Sequence, residues 1–243
     1  MRANRTIGLA IMAITVTVGT GGCALIAPEV PMAQIVLEAP PGTEDARDLA
    51  AALEERLEAL DAAHAVEVDG TAITIDYEAG AVPGGDELFT AGGATSLRPV
   101  LADDAAATTP CADAAAEEPC SGTDPGSSAP LRLGPSSPLG IADATADLQD
   151  TNWVIEVDFT ESGAGTMQEL SAAAACAQGQ ENRIAMVLDG EILTAPSVAV
   201  GCGESLESEL VISGGFDRDD AMLLAAVLAS PIPAGVTVVE QSG

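Results

Sequence analysis

Five cysteines are the residues of this 243-residue chain whose chemistry is easiest to read from type and spacing. They are Cys23, Cys111, Cys120, Cys176 and Cys202. An odd number predicts that one cysteine stays outside the disulfides and that the other four form them. Four cysteines allow three pairings, and we favour Cys111–Cys120, within one loop, and Cys176–Cys202, on either side of a predicted hairpin.

A zinc site is the alternative use of these cysteines. The sequence has no C-x-x-C pair, and its single histidine, His64, is far from the cysteines. We expect His64 to end a helix in a capping or surface role. The sequence therefore predicts no metal site and no cofactor.

Catalytic signatures of other kinds are missing from the sequence. It contains no G-x-S-x-G elbow, no phosphate-binding glycine loop and no H-E-x-x-H pair. One histidine leaves a nucleophilic triad without a plausible base, and nothing singles out an acid pair among the 38 Asp and Glu residues. We expect that the protein is not an enzyme.

The N-terminus has the layout of an export signal. Arg2 and Arg5 precede an apolar run over residues 7–18, and small residues lead to Cys23. The run is shorter than the ~20 residues that span a bilayer. We predict a signal peptide at 1–22, lipidation of Cys23 and a tether over 23–32. Thr20 departs from the usual lipoprotein signal, and an uncleaved signal anchor is the alternative. Both place the rest of the chain outside the cytoplasm.

The charge balance restricts the partners. Eight basic residues, all arginines, oppose 38 acidic ones, which gives a net charge of −30. Such a surface is repelled by nucleic acid, so we expect no nucleic-acid partner.

Residues 33–101 predict a first α/β unit. A strand over 33–39 is followed by a helix with leucines at three- and four-residue steps, and Thr43 is its predicted N-cap. A hairpin follows around Asp69-Gly70. Residues 82–93 are rich in glycine and are predicted to be irregular, and residues 94–101 are predicted to form a strand.

The low-complexity stretch 102–138 is predicted to be a long exposed loop with solvated acidic residues, held by Cys111–Cys120.

Residues 139–234 predict a second unit around a hairpin. Residues 184–192 alternate in size on either side of Asp189-Gly190, a pair that accepts the positive φ angles of a two-residue turn. A strand precedes it at 152–159, with a helix after Thr160. A last helix has Asp217 as its N-cap, and a closing strand lies in 235–243.

The second unit resembles the head of the first periplasmic domain of SecD, a family of accessory subunits of the bacterial Sec translocon. The residues that match the family pattern are Trp153, Phe159, Gly163, Asp189, Gly190, Ala195, Pro196, Gly214 and Phe216. The resemblance implies an α+β fold with a ferredoxin-like base subdomain and an α/β head subdomain, in which the closing strand returns to the base.

The resemblance also implies a role in protein export. The expected partners are unfolded or exported polypeptide and translocon subunits, with the membrane reached through a lipid anchor. SecD proteins continue into membrane helices that use the proton gradient, whereas this chain stops at Gly243. We therefore expect a stand-alone binding domain without proton-driven activity. The alternatives are an envelope lipoprotein that binds a small molecule or a protein partner, unrelated to export, and a purely structural partner.

Overall fold

A computed structural model describes residues 31–41, 46–101, 109–206 and 209–242. The helices are α1 (Ala46–Ala59), α2 (Glu87–Thr90), α3 (Glu161–Ala175) and α4 (Arg218–Ala229), with a 3₁₀ turn at Gly179–Asn182. The strands are β1 (Met32–Glu38), β2 (His64–Asp69), β3 (Ala72–Glu78), β4 (Thr95–Pro99), β5 (Cys120–Thr123), β6 (Pro130–Leu133), β7 (Ser137–Pro138), β8 (Ile141–Gln149), β9 (Asn152–Phe159), β10 (Ile184–Leu188), β11 (Glu191–Thr194), β12 (Glu209–Phe216) and β13 (Thr237–Ser242).

Four predictions fall wholly or mostly on residues that the structure does not describe. These are the signal peptide, the lipidated Cys23, the tether over 23–32 up to residue 30, and the N-cap Thr43. Among the described helices, none is both long enough and apolar enough to cross a membrane.

The base is a four-stranded antiparallel sheet in the order β13-β1-β3-β2. Alternate residues of β1 and β3 point to one face, so Ile35 and Ile75 are fully buried there. The leucine face of α1, including Leu53 and Leu57, covers them. With α4 as the second helix, the chain order is β-α-β-β-α-β, the ferredoxin-like arrangement.

The head is inserted between α2 and α4, and its described residues form three further sheets. Their orders are β11-β10-β4-β7, β12-β9-β8 and β5-β6. Ile155, Met186 and Ile212 from these sheets pack with α3 and α4 in one core. Since β4 pairs with β10, the predicted base boundary at residue 101 lies beyond the first head strand.

Helix α4 packs against both subdomains. Ala221, Ala225 and Leu228 belong to the head core, whereas Ala226 belongs to the base core. After α4, β13 pairs with β1, as the predicted closing strand requires. The α+β fold with a base and a head is confirmed.

The prediction of a long exposed loop over 102–138 is wrong for its second half. β5 and β6 form a hairpin whose Leu131 and Leu133 are buried with Cys120 and Ile192 in a third small core. Leucines two residues apart provide one apolar strand face, which the low-complexity composition of the whole stretch conceals.

Two local predictions are also corrected. His64 begins β2 rather than ending a helix, and its Nδ1 lies 2.8 Å from the carbonyl oxygen of Ala62. The stretch 82–93 is not wholly irregular, because it contains α2, in which Leu88 and Phe89 are fully buried. Two adjacent apolar residues were too short a pattern to indicate a helix.

Candidate functional site

The Asp189-Gly190 turn connects β10 to β11 and also fixes the entry to the head. Asp189 has a φ of 47° and Gly190 a φ of 87°, as a two-residue hairpin turn requires. The Asp189 carboxylate accepts hydrogen bonds from the backbone N–H groups of Gly93 and Ala94, at 3.0 and 2.9 Å. These motif residues therefore hold the base-to-head connection in place.

A buried arginine lies at the same connection. Arg56 of α1 donates to the carbonyl oxygens of Ser230 and Leu88, at 2.8 and 2.6 Å, and to that of Gly92 at 3.4 Å. Burial lowers its pKa to about 10, and the negative charge of Asp189 acts in the opposite direction. Sequence reasoning missed Arg56, although a charge between Leu53 and Leu57 interrupts the apolar face of α1.

Three motif residues in the first part of the head have structural positions. Phe159 is buried in the head core and Trp153 packs against it, partly buried. Gly163 is buried in the first turn of α3, and its N–H donates to Thr160 Oγ1 at 3.2 Å. A Cβ at Gly163 would collide with the carbonyl oxygen of Gly140.

Two β-bulges lie among the remaining motif residues. In β11, Thr194 pairs with Met186 and Ile192 with Val187, so Leu193 between them has no partner. In β12, Ser213 pairs with Val154 and Phe216 with Trp153, which leaves two glycines unpaired. Bulges turn side chains away from the regular pleat and are frequent beside functional sites.

The bulges place Leu193 and Phe216 in the walls of two adjacent cavities. The first measures about 560 Å³ and is also lined by Ala195, Pro196 and Gly214. The second measures about 480 Å³ and is lined by Leu223, Leu224 and Val227 of α4. We call the two cavities together the β11 groove. It unites five motif residues, since Asp189 also lines the second cavity. A Cβ at Gly214 would meet the ring of Phe216.

An ion pair lines the first cavity of the β11 groove. Arg183 Nη2 lies 2.7 Å from Asp124 Oδ2, with both side chains largely buried. Arg183 Nε donates to the carbonyl oxygen of Ala195 at 2.7 Å. The hydrogen bond from Arg183 lowers the pKa of Asp124, and those from Ser127 and the N–H of Gly126 act in the same direction, against the effect of burial.

This pair corrects the expectation that the acidic residues of the 102–138 stretch are all solvated. Asp124 lies in the turn between β5 and β6, 59 residues from its partner. The sequence around Asp124 does not distinguish it from the other Asp and Glu residues, 38 in all, as the partner of a distant arginine.

One wall of the β11 groove is an edge strand. β11 is terminal in its sheet, with no strand on its outer side in the described part of the chain. An edge strand presents unpaired backbone N–H and C=O groups. The second cavity is mainly apolar, whereas the first is also lined by polar and charged side chains, among them Gln180 and Arg183.

The four cysteines downstream of Cys23 lie outside the β11 groove. The structure joins Cys111 to Cys120 and Cys176 to Cys202, the pairing favoured from the sequence. The second disulfide ties the C-terminal end of α3 to the loop that follows β11. Within the described ranges, no three His, Cys, Asp or Glu residues are grouped so as to hold a metal ion.

Comparison with known proteins gives the same family for the head. Residues 137–233 match the family model described as the SecDF P1 head subdomain. The protein translocase subunit SecDF of Brucella abortus biovar 1 (strain 9-941) is 36% identical over 104 residues. The match covers 42% of this chain and only 13% of that relative.

Solved structures extend the likeness to the base. A crystal structure of SecDF in the super-membrane-facing form has a TM-score of 0.58 at 24% identity, covering 88% of this chain and 32% of that one. A structure described as a membrane component SecDF that enhances protein export has a TM-score of 0.54 at 25% identity, covering 85% of this chain and 98% of that one. Residues 137–233 are therefore similar to the SecDF P1 head subdomain, and the described chain has the fold of the SecDF periplasmic domains.

Proposed function

We propose that this protein is an extracytoplasmic SecD-type domain that binds unfolded or translocating polypeptide as an accessory to Sec-dependent export. It acts by affinity, without enzymatic or proton-driven activity of its own. The observation that carries the proposal is the β11 groove, in which an edge strand borders one mainly apolar cavity and one cavity of mixed polarity, both lined partly by motif residues. The export role rests on the family match and on the names of its relatives.

The groove suits an unfolded chain better than a folded one. A polypeptide in extended conformation can pair its backbone with the outer edge of β11 and place side chains against Leu193 and Phe216. A folded protein has already paired its backbone groups internally, so it gains less from the same edge. Such binding opposes backward movement of an emerging chain and needs no energy source.

Charge limits the way in which clients are attracted. The net charge of −30 repels acidic polypeptides and nucleic acid at long range. Affinity therefore comes from apolar contact and backbone pairing, and we expect it to tolerate salt. The proposed partners are exported polypeptides and the translocon subunits beside which they emerge.

Membrane attachment is proposed through a lipid on Cys23, which lies outside the described residues. The sequence before it supports this, and the two disulfides suit an oxidising compartment outside the cytoplasm. Metabolic labelling with a fatty-acid analogue should mark the wild type and not Cys23→Ala. Equal labelling of both, or a mature protein that still begins with Met1, would contradict the anchor.

Binding is tested with the chain from residue 24 onward, titrated with a fluorescent exported protein in its unfolded and folded forms. We expect fluorescence anisotropy to show weak, salt-tolerant binding of the unfolded form only. Leu193→Ser should weaken it several-fold. Leu148→Ser, which changes a leucine that is 50% exposed on β8, serves as the matched control. Equal binding of both forms, or equal loss in both variants, would refute the assignment to the groove.

A further inference from the structure

The second cavity of the β11 groove differs from the first in the charge of its lining. Its described lining contains apolar residues, four acids and no basic residue. The acids are Glu87, Asp189, Glu191 and Asp220. In the first cavity, by contrast, the charge of Asp124 is compensated by Arg183 at 2.7 Å. The second cavity therefore combines an apolar floor with an excess of negative charge.

One of the four acids is already engaged inside the protein. The Asp189 carboxylate accepts hydrogen bonds from the N–H groups of Gly93 and Ala94. It also interacts electrostatically with the buried Arg56. Asp189 is thus less available to a ligand than the other three acids.

The remaining three acids are exposed and come from three different elements. Glu87 is the first residue of α2, Glu191 is the first residue of β11, and Asp220 lies in the first turn of α4. Among the described residues, none of the three has a basic partner within 4 Å. We call Glu87, Glu191 and Asp220 the acidic rim.

Spacing along the chain places the acidic rim beside the apolar floor. Asp220 lies three residues before Leu223, so both are on one face of α4, and both line the cavity. Glu191 and Leu193 are separated by Ile192, which is buried on the opposite face of β11 in the third small core. An acid and a leucine therefore point to the same side on each of these two elements.

An extended chain that pairs with the outer edge of β11 contacts both features. Its side chains alternate between two faces, and residues two apart lie ~7 Å apart on the same face. A side chain next to Leu193 is therefore accompanied by another, two positions away, next to Glu191. Opposite charges that face each other on neighbouring strands attract, whereas like charges repel.

We propose that the second cavity selects polypeptide segments in which a lysine or arginine stands two residues from a bulky apolar residue. The apolar side chain lies against Leu193, and the basic one lies within the acidic rim. This inference rests on the proposed function, because it names the class of segment that the β11 groove binds. Apolar contact and backbone pairing supply the affinity, and the acidic rim discriminates among segments.

The test measures the binding of short fluorescent peptides to the full chain by anisotropy. Each peptide has a central leucine in a background of serine and threonine, with lysine, glutamine or glutamate two residues away on both sides. Either strand direction then places one of these residues next to Glu191. We expect the lysine peptide to bind about threefold to fivefold more tightly than the glutamine peptide, and the glutamate peptide to bind more weakly by a similar factor.

Salt and spacing provide two further comparisons. At ~1 M salt the preference for lysine should disappear while the glutamine peptide still binds, because the Debye length falls to ~3 Å. An isomeric peptide with its lysines directly beside the leucine points them to the other face of the strand. It should bind about threefold more weakly than the lysine peptide, although the two have the same charge.

A pair of variants separates the acidic rim from the overall charge of −30. The rim variant, which should no longer prefer lysine to glutamine, is Glu87→Gln/Glu191→Gln/Asp220→Asn. The control variant should keep the preference, because it removes the same three charges from exposed positions of β2, β8 and β13. It is Glu67→Gln/Asp147→Asn/Glu240→Gln.

The proposal is overturned if the lysine peptide binds no better than the glutamine peptide or its own isomer, or if the rim and control variants behave alike. The proposed function survives that failure if the glutamine peptide still binds more tightly than the same peptide with serine in place of leucine. If no peptide binds more tightly than this serine peptide, both proposals fail.

Discussion

At the scale of single residues, the glycines among the motif residues are explained by what lies next to their Cα atoms. Gly163 and Gly165 are two residues apart in α3 and have opposite surroundings. A Cβ at Gly163 would overlap the backbone of Gly140, which cannot rotate away as a side chain can, whereas a Cβ at Gly165 would meet nothing within 4 Å.

We therefore expect Gly163→Ala to destabilise the protein by about 1–3 kcal/mol, because the backbone must shift to remove the overlap. Gly165→Ala should be neutral or stabilising by up to about 1 kcal/mol, because alanine favours a helix. Urea denaturation of the two variants measures both values. Equal effects would show that helix propensity alone determines them.

The Asp124–Arg183 pair predicts a pH dependence of stability. Since Arg183 lowers the pKa of Asp124, the folded state binds fewer protons than the unfolded state near pH ~4. The resulting stabilisation is complete above the unfolded pKa and is lost as pH falls through the folded pKa.

Asp124→Asn should accordingly cost about 1–3 kcal/mol of unfolding free energy at pH 7, with the difference from wild type shrinking below pH ~4. Urea midpoints at pH 7 and pH 3 provide the measurement. Asp219→Asn, which alters an exposed pair at 3.6 Å, should change little at either pH. A cost for Asp124→Asn that is the same at both pH values would refute the ionic explanation.

At the scale of elements, short patterns in the sequence predicted the parts that local chemistry determines. The Asp189-Gly190 turn and the N-cap Asp217, whose side chain accepts from the N–H of Asp220 at 2.9 Å, could be read directly. The β5–β6 hairpin could not, because its burial depends on Ile192 and Ala185, which come from distant strands. The burial of Arg98 in β4 was unpredictable for the same reason, since its side chain donates to carbonyl oxygens 20 and 36 residues away.

The Cys176–Cys202 disulfide predicts a loss of stability on its removal. It closes a loop with a sequence separation of 26, which restricts the unfolded chain by about 3.5 kcal/mol in the chain-entropy model. The double variant Cys176→Ser/Cys202→Ser should lower the free energy of unfolding by about that amount. Peptide mapping without reduction checks the pairing, and a peptide that joins Cys176 to Cys111 or Cys120 would contradict it.

At the scale of the whole molecule, the base and the head are connected by structural elements on which both depend. α4 contributes to both cores, β13 returns to the base after the head is complete, and Arg56 joins α1 to the carbonyl oxygen of Ser230 just beyond α4. The family model covers residues 137–233, whereas β4, which pairs with β10, precedes them. The matched segment by itself therefore lacks an internal strand of its own sheet.

This sharing predicts that base and head unfold in one transition. Two natural probes distinguish them, since the only tryptophan, Trp153, lies in the head and the only tyrosine, Tyr77, lies in the base beside Phe89 at a ring distance of 5.2 Å. Second-derivative ultraviolet absorbance resolves the two residues during thermal unfolding, and we expect the same midpoint from both.

Arg56→Met should lower both midpoints together, because it removes the side-chain donor of the Ser230 and Leu88 carbonyl oxygens, whereas that of Gly92 keeps its bond from the N–H of Ile232. Arg218→Ala, which removes an exposed charge from the start of α4, is the control and should leave both midpoints within about a degree or two of wild type. Separate midpoints in the wild type would show that the head is stable without the base, and that α4 belongs energetically to only one of the two cores it touches.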